Sequence, residues 1–457
     1  MKKYFLNHMK SILALVALGL VSCSGFLDKQ PYDIVKENYY GNAEEVRAGL
    51  VGVYDILGRE IFYGGTFSTF LNLADEGAYY RPAYTAGPEV YNYDAANSKI
   101  VDLWRFLYEG IERANFFLSK VPSVQMDEGE KTAAIGEVKF LRAYYYFILV
   151  ANWGDVPLKT APTNSVTNVD SERTPQKQVY DFIVQEMAEA DGMVRGAEAY
   201  GHAGRVTKSA VRGVLARIFL KMAGHPLNEA DKYQKALEWS EKLVFPTGSQ
   251  YAHGLMPDYA QLFRDLAADK YNILESIWEV ELYGNRVGNF EAGRLGNLGG
   301  IQNSNEADGF SYGFIAASRK LFELYEGTDE RRDWNIADFR YQGNNSANAK
   351  MLYTTEIEAR HMAKFRRDGE VKLPRNKNYT PINFPLLRYS DVLLMFAEAE
   401  NEVNGPTNRA TAALKTVRDR ANASDLTANL TTAAALGKPS GRNACANSAT
   451  KASENST

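Results

Sequence analysis

Cysteine is almost missing from this chain. Cys23 and Cys445 stand near opposite ends of 457 residues, which argues against a disulfide framework as the basis of the fold. Histidine is scarce as well. His202, His225, His253 and His361 are scattered, and no HExxH or similar ligand spacing joins them, so no zinc site is indicated. Basic charge is not in excess: 52 Lys and Arg stand against 56 Asp and Glu, a formal net charge of −4, which disfavours nucleic acid as a partner. No stretch resembles a nucleophile elbow. Gly204-Arg205-Val206-Thr207-Lys208-Ser209 lacks the glycine before lysine that a phosphate loop requires, and a helix N-cap at Thr207 is the better account. Gly293–Gly300 is glycine-rich but lacks a strand before it and a helix after it, and is assigned to a flexible loop. Asp75 and Glu76 are adjacent, whereas a glycosidase holds two carboxyls apart across a sugar; capping or loop hydrogen bonding is the better assignment. No motif implies a cofactor or a metal.

What the chain does have is aromatic mass: 28 Tyr, 22 Phe and 5 Trp, within an ordinary globular balance of 45% apolar and 24% charged residues. The densest stretch is Glu137–Leu158, EVKFLRAYYYFILVANWGDVPL. Only Arg142 is charged between Phe140 and Val150, and Tyr144, Tyr145, Tyr146 and Phe147 are consecutive. No helical face remains polar, so a helix buried on all sides by protein is predicted. It is too short and too rich in tyrosine to span a bilayer. Gly154 and Pro157 end it.

The N-terminus carries Lys2, Lys3 and Lys10, then the apolar stretch Ser11–Val21, then Leu20-Val21-Ser22-Cys23. A charged n-region and a short apolar region read as a signal peptide over residues 1–22. Leucine, small residues and cysteine in that order resemble the lipobox of bacterial lipoproteins, which implies cleavage before Cys23 and attachment of lipid to its sulfur. More than one acyl chain gives stable membrane anchoring. The alternative is an ordinary secretory signal in which the cysteine is incidental.

Helical spacing recurs along the chain. It covers Ala43–Arg59 and Ile100–Leu118, the latter ended by Pro122. Asp127 and Glu130 form a capping-box pattern before the aromatic helix. Thr174-Pro175 predicts the start of another helix, with Val179, Phe182, Ile183 and Met187 as its stripe. Thr207 starts the next, with Val211, Val214, Leu215, Ile218, Phe219 and Met222 inward and Gly224 and Pro226 beyond its end. A fifth is expected over Asn228–Val244, with Ala236, Leu237, Ser240 and Leu243 inward. Phe62–Asn97 breaks the period and is assigned to long ordered loops. About 261–387 is irregular, with a helix expected near Ile315–Tyr325 and a short strand such as Ser276–Leu282. Helix resumes at Arg388–Val403 and, after Gly405-Pro406, at Thr407–Ala421. The expected fold class is mainly α: a TPR-like frame of helix pairs over about 98–260 and 388–421, a large irregular insert and a few short strands.

Four stretches in order, Cys23–Pro31, FLRAYYYFILVANWGDVPL, GRVTKSAVRGVLARIFLKMAG (Gly204–Gly224) and NFPLLRYSDVLLMFAEAENEVNGP (Asn383–Pro406), resemble the SusD/RagB family of outer-membrane glycan-binding lipoproteins. The resemblance implies one domain over residues 23–436. It also implies a TPR-bearing α fold, no catalysis and a place on the cell exterior. There it implies delivery of oligosaccharides, or in some members peptides, to a partner TonB-dependent outer-membrane transporter. It stops near Leu436. Shifted by one base, codons permitted for Lys438–Thr457 read EAIRKERMRELCYEG, which resembles the helix with which the family continues. A frameshift near Leu436 is therefore the expectation for residues 437–457, against a natural low-complexity tail; Cys445 then carries no meaning.

Tyr79, Tyr80, Tyr84, Tyr91 and Tyr93 fall in one irregular stretch beside Arg81, Asn92 and Asp94. Sugars offer apolar C–H faces to rings and hydroxyl edges to polar side chains, and tyrosine serves both at low conformational cost. These tyrosines and Arg81 are the candidate ligand residues. A second patch, Phe310, Tyr312 and Phe314 with Asn303 and Asn305, adds Tyr312 to them. The competing account is that most of these rings fill core or cover the transporter.

Overall fold

The computed structural model describes residues 39–70, 76–81, 83–164, 170–248, 250–283, 293–341, 350–352 and 356–425. The lipobox with Cys23, the carboxylate Asp75 and the tail beyond Asp425 lie outside the described residues. The chain divides into two units, Met1–Gly41 and Asn42–Thr457. Every helix and strand named below belongs to the second.

The frame is helical. Helix α1 (Ala43–Gly58) is followed by α2 (Thr66–Phe70), α3 (Ser98–Lys120), α4 (Glu128–Trp153), α5 (Gln176–Asp191), α6 (Lys208–Ala223) and α7 (Lys232–Val244). Near the C-terminal end lie α11 (Tyr389–Asn404) and α12 (Asn408–Arg420), after three short helices in the insert, α8 (Tyr259–Ala267), α9 (Arg319–Leu324) and α10 (Glu330–Asn335). Successive helices pack as pairs: α3 on α4, α4 on α5, α6 on α7, α7 on α11 and α11 on α12. This is the mainly α, TPR-like architecture expected from the spacing.

Helix α4 is the hub, and its sequence explains why. Every residue from Phe140 to Val150 is buried. Four consecutive aromatic residues on a helix point four ways, so each needs its own neighbour. Tyr144 meets the hydroxyl of Tyr63 at 2.5 Å. Tyr145 donates to the Val53 carbonyl at 2.6 Å. Tyr146 donates to the Lys159 carbonyl at 2.8 Å and accepts the Lys159 N–H at 2.6 Å. Phe147 has no polar atom to satisfy and packs edge-on to Tyr180. Each fully buried aromatic ring contributes roughly 1.5–3 kcal/mol, and a buried hydroxyl left without a partner would return much of that. Arg142, the lone charge, is matched in the same way. It pairs with Glu186 at 2.5 Å and donates to Asn115 at 2.7 Å. Gly154 ends the helix with a positive φ of 69°, a conformation open to glycine at no steric cost. The adjacent Asp155 then accepts the N–H of Gln176 at 2.8 Å and so starts α5.

That last contact corrects one expectation. Thr174 forms a β-bridge with Val156, and α5 is capped by Asp155. The capping box before α4 forms by half: Asp127 accepts the Glu130 N–H at 2.8 Å, but the Glu130 carboxylate is paired with Arg47 at 2.6 Å. Helix α7 starts at Lys232, because Asn228 has a φ of 54°, incompatible with a helix. Its buried residues are the expected Ala236, Leu237, Ser240 and Leu243. Arg388 is extended at φ −124°, the last residue of a strand, and α11 begins one residue later.

Three antiparallel two-stranded ribbons are present among the described residues. Strand β1 (Gly77–Tyr79) pairs with β3 (Ile315–Ala317), β2 (Ser276–Val280) with β6 (Phe384–Arg388), and β4 (Phe339–Tyr341) with β5 (Lys350–Leu352). The helix expected near Ile315–Tyr325 is thus split. Its first three residues pair with β1, and Ser318 caps the short α9 by accepting the Leu321 N–H at 3.1 Å. Likewise Phe62–Asn97 is not loop throughout, since it contains α2 and β1. The β1–β3 ribbon ties this early segment to a chain segment more than two hundred residues later, and it positions the candidate site.

Candidate functional site

Phe310, Tyr312 and Phe314 are spaced by two, the period at which extended chain presents side chains on one face. The segment is tied down by backbone bonds from Tyr312 N to Asn297 O and from Phe314 N to Leu298 O, each 2.8 Å. Gly313 between them has a φ of 62°, and a Cβ there would stand 2.7 Å from the buried His361 ring. Tyr79 pairs with Ile315 across the ribbon, and the Tyr80 N–H bonds the Phe314 carbonyl at 2.6 Å. The two aromatic patches of the sequence therefore meet. Their rings form one row: Tyr84 to Tyr79 at 5.3 Å, Tyr79 to Phe314 at 5.5 Å, Phe314 to Tyr312 at 4.8 Å, and Tyr312 to Phe310 at 4.8 Å. Phe314 and Tyr312 are stacked at 20°, whereas Tyr312 and Phe310 meet edge-on at 80°. All five rings are half-buried, so each keeps part of its surface toward solvent.

A buried ion pair fixes one end of the row. Arg367 binds Glu370 through both carboxylate oxygens, at 2.7 and 3.0 Å, with both residues 3% exposed. The same guanidinium donates to the carbonyls of Phe310 at 2.6 Å and Lys377 at 3.1 Å. Asn297 Nδ2 donates to the same two carbonyls at 3.1 and 3.0 Å. The Tyr312 hydroxyl donates to Asn378 at 3.2 Å. Breaking a buried ion pair by removing one partner typically costs about 3–5 kcal/mol, so this end of the row is rigidly supported.

Cations border the row. The Arg81 guanidinium lies 5.1 Å from the Phe314 ring centre and 5.9 Å from that of Tyr84. Lys99 lies 5.3 Å from Tyr84, pairs with Glu89 and donates to the Tyr84 hydroxyl at 2.9 Å. Burial alone would lower the Lys99 pKa, but its bonds with Glu89 and Tyr84 outweigh that and hold it raised. At the far end Lys377 lies 5.0 Å from Phe310 and pairs with Glu306 at 2.8 Å, which raises its pKa. Burial raises the Tyr79 pKa, against the hydrogen bond from Arg81 that lowers it. Its phenol is therefore neutral at physiological pH.

Of the residues singled out in the sequence, Tyr79, Tyr84 and Tyr312 enter the row, and Arg81 lies over it. Tyr80, Tyr91 and Tyr93 are exposed, at 54%, 71% and 51%, and stand outside that ring series. Asn92 and Asp94 are engaged within their own loop: Asn92 donates to the Thr85 carbonyl at 2.8 Å, and Asp94 accepts the Ala96 N–H at 3.0 Å. Asn303 is buried and accepts the Asn305 N–H at 2.9 Å, so it shapes the turn. Lys99, Asn378, Lys377 and Arg367 were not foreseen. They come from distant parts of the chain, and no local pattern marks them.

A cavity of about 390 Å³ lies in the frame, lined by Leu50, Tyr54, Ala134, Glu137, Arg205 and Glu279 among others. Its central carboxylate, Glu137, is fully buried and already accepts from Tyr54 at 2.5 Å, Tyr200 at 3.0 Å and Arg205 at 2.7 and 2.6 Å. It has little to offer a ligand. Glu76 is buried and lies at the start of β1. Among the described residues no group of three or more His, Cys, Asp or Glu could hold a metal, and no helix is long and apolar enough to cross a membrane.

The fold defines a class: a frame of paired helices that carries an irregular insert with an aromatic row at its surface. Comparison with known proteins agrees. Residues 25–220 match a family model described as starch-binding associating with outer membrane, and residues 274–444 match the model of the SusD family. The chain belongs to the SusD/RagB family. A SusD-like protein of Formosa agariphila is 27% identical over 446 residues, covering 88% of this chain and 79% of that protein. A SusD homologue from Bacteroides thetaiotaomicron has the same fold, with a TM-score of 0.82 at 24% identity over 91% of this chain and 86% of its own. A laminarin-binding SusD-like protein aligns with a TM-score of 0.72 and 26% identity over 90% of each chain.

Proposed function

We propose that this chain is a glycan-binding protein of the outer membrane, anchored by lipid on Cys23 and facing the cell exterior. It captures oligosaccharides and passes them to a partner TonB-dependent outer-membrane transporter, without itself carrying out chemistry. The observation that carries this reading is the row of five rings from Tyr84 to Phe310, bordered by hydrogen-bonding side chains and supported from beneath. Ring faces bind the C–H faces of sugars, and the hydroxyl edges fall to side chains such as Arg81 and Asn378. Family membership supports it, as does the laminarin-binding relative. Affinity per site is expected to be weak, with delivery aided by tethering beside the transporter.

The test is binding of an oligosaccharide panel to the wild-type chain and to a Tyr79→Ala, Tyr84→Ala, Tyr312→Ala triple variant. Loss of binding in a chain that still unfolds cooperatively is expected; unchanged affinity would remove the row from the site. Turnover of the bound glycan would replace the binding role with that of a glycosidase. Cys23→Ala should release the protein from the membrane fraction, and persistent anchoring would refute the lipid attachment. Delivery requires that the chain co-purify with a transporter from the membrane.

A further inference from the structure

Along the aromatic row one cation lacks a carboxylate partner among the described residues. Lys99 is matched by Glu89, and Lys377 by Glu306. Glu89 also accepts the Tyr84 hydroxyl at 2.9 Å, and the nearby Asp308 accepts from Asn305 at 2.6 Å. Arg81 is exposed and has no carboxylate partner among the described residues. Its contacts there are with the rings of Phe314 and Tyr84. A guanidinium has five N–H donors in a planar fork, and most have no partner among the described residues. The rings hold the group in place by cation–π attraction. They do not neutralise it.

A neutral sugar can accept hydrogen bonds from a guanidinium but leaves its charge unmatched. An arginine fork matches the two oxygens of a carboxylate or a sulfate, and such charge-assisted pairs are about twice as strong as neutral hydrogen bonds. We propose that the aromatic row selects anionic glycans, those bearing uronate carboxylates or sulfate esters, with Arg81 as the side chain that reads the negative group. This inference rests on the proposed role of the row as the glycan platform and adds the class of glycan that it takes.

The experiment is calorimetric titration of the full chain with three probes of equal length: an oligogalacturonate, a sulfated carrageenan oligosaccharide and a neutral laminari-oligosaccharide. At low ionic strength at least one anionic probe should bind roughly tenfold tighter than the neutral one, the value of a single charge-assisted pair. The preference should shrink as salt is raised. Which anionic probe binds distinguishes carboxylate from sulfate. Arg81→Gln should abolish the preference, lowering affinity for the anionic probes far more than for the neutral one, and Arg81→Lys should retain part of it. Tyr312→Ala should weaken all binding. If the neutral probe binds as tightly as both anionic ones, or if Arg81→Gln leaves every affinity unchanged, the anion selectivity is overturned. Sensitivity to Tyr312→Ala would then show that the glycan platform itself survives. If no probe binds, or if Tyr312→Ala changes nothing, both ideas fall.

Discussion

Two aromatic regions of this molecule are built from the same residue types and do opposite work. In helix α4, Tyr144–Phe147 are buried, and every hydroxyl among them has a protein partner. In the row from Tyr84 to Phe310 the rings are half-buried, and cations border them. Position decides the role. A tyrosine enclosed on all sides contributes area and one internal hydrogen bond. A tyrosine on an edge segment keeps part of its ring for something else.

Substitution in the hub should have the largest effect. Arg142→Leu removes the partner of buried Glu186 and is expected to cost about 3–5 kcal/mol in urea unfolding, with glycan affinity of the folded fraction unchanged. A cost below about 1 kcal/mol would mean that Lys139, already 3.3 Å from Glu186, takes over the charge. In the row the balance should reverse. Tyr312→Ala is expected to cost about 2 kcal/mol in glycan binding, as for a central contact residue, but only about 1 kcal/mol in stability; equal losses in both would make the row core.

A finer contrast is Tyr145→Phe. It leaves the Val53 carbonyl without its 2.6 Å donor and should lower stability by about 1–2 kcal/mol, with no effect on binding. A midpoint indistinguishable from wild type would mean that water reaches that carbonyl.

The contrast most diagnostic in sign concerns Glu279 on β2. Burial pushes its carboxyl from the ordinary 4.5 up to about 7, against hydrogen bonds from Asn383 and Ser276. Between those values the folded chain keeps a proton that the unfolded chain has lost, so stability falls as pH rises through the window. Glu279→Gln removes this slope. The stability of the variant relative to wild type should therefore grow from about pH 4.5 to 7 and then level off. Taking the difference cancels His361, lowered by burial to about 4, and Glu398, raised by burial to about 7. A difference that stays flat from acid to neutral pH would refute the assignment.

Much of the frame was legible in the sequence. Helices α1, α3, α4, α6, α11 and α12 follow apolar spacing, because a helix that buries one stripe must repeat it every three to four residues. Thr207 caps α6 as its position predicts, accepting the Ala210 N–H at 3.3 Å. Where the local pattern misled, a distant partner had overruled it. Thr174 was claimed by Val156, Glu130 by Arg47, and Ile315–Ala317 by β1.

The candidate site was legible only as fragments. Composition and period alone determined that aromatics cluster at Tyr79–Tyr93 and at Phe310–Phe314, and that α4 must be a buried hub. Both follow from residue chemistry over a few turns or one strand. That the two clusters form a single row, that Tyr79, Tyr84 and Tyr312 enter it while Asn92 and Asp94 turn back into their loop, and that Arg81 lies over it with no carboxylate partner among the described residues were decided by tertiary structure. The reason is physical. Antiparallel pairing of β1 with β3 and the bond from Arg367 to the Phe310 carbonyl join segments remote in sequence, and no local propensity encodes which remote segment a half-buried aromatic will meet.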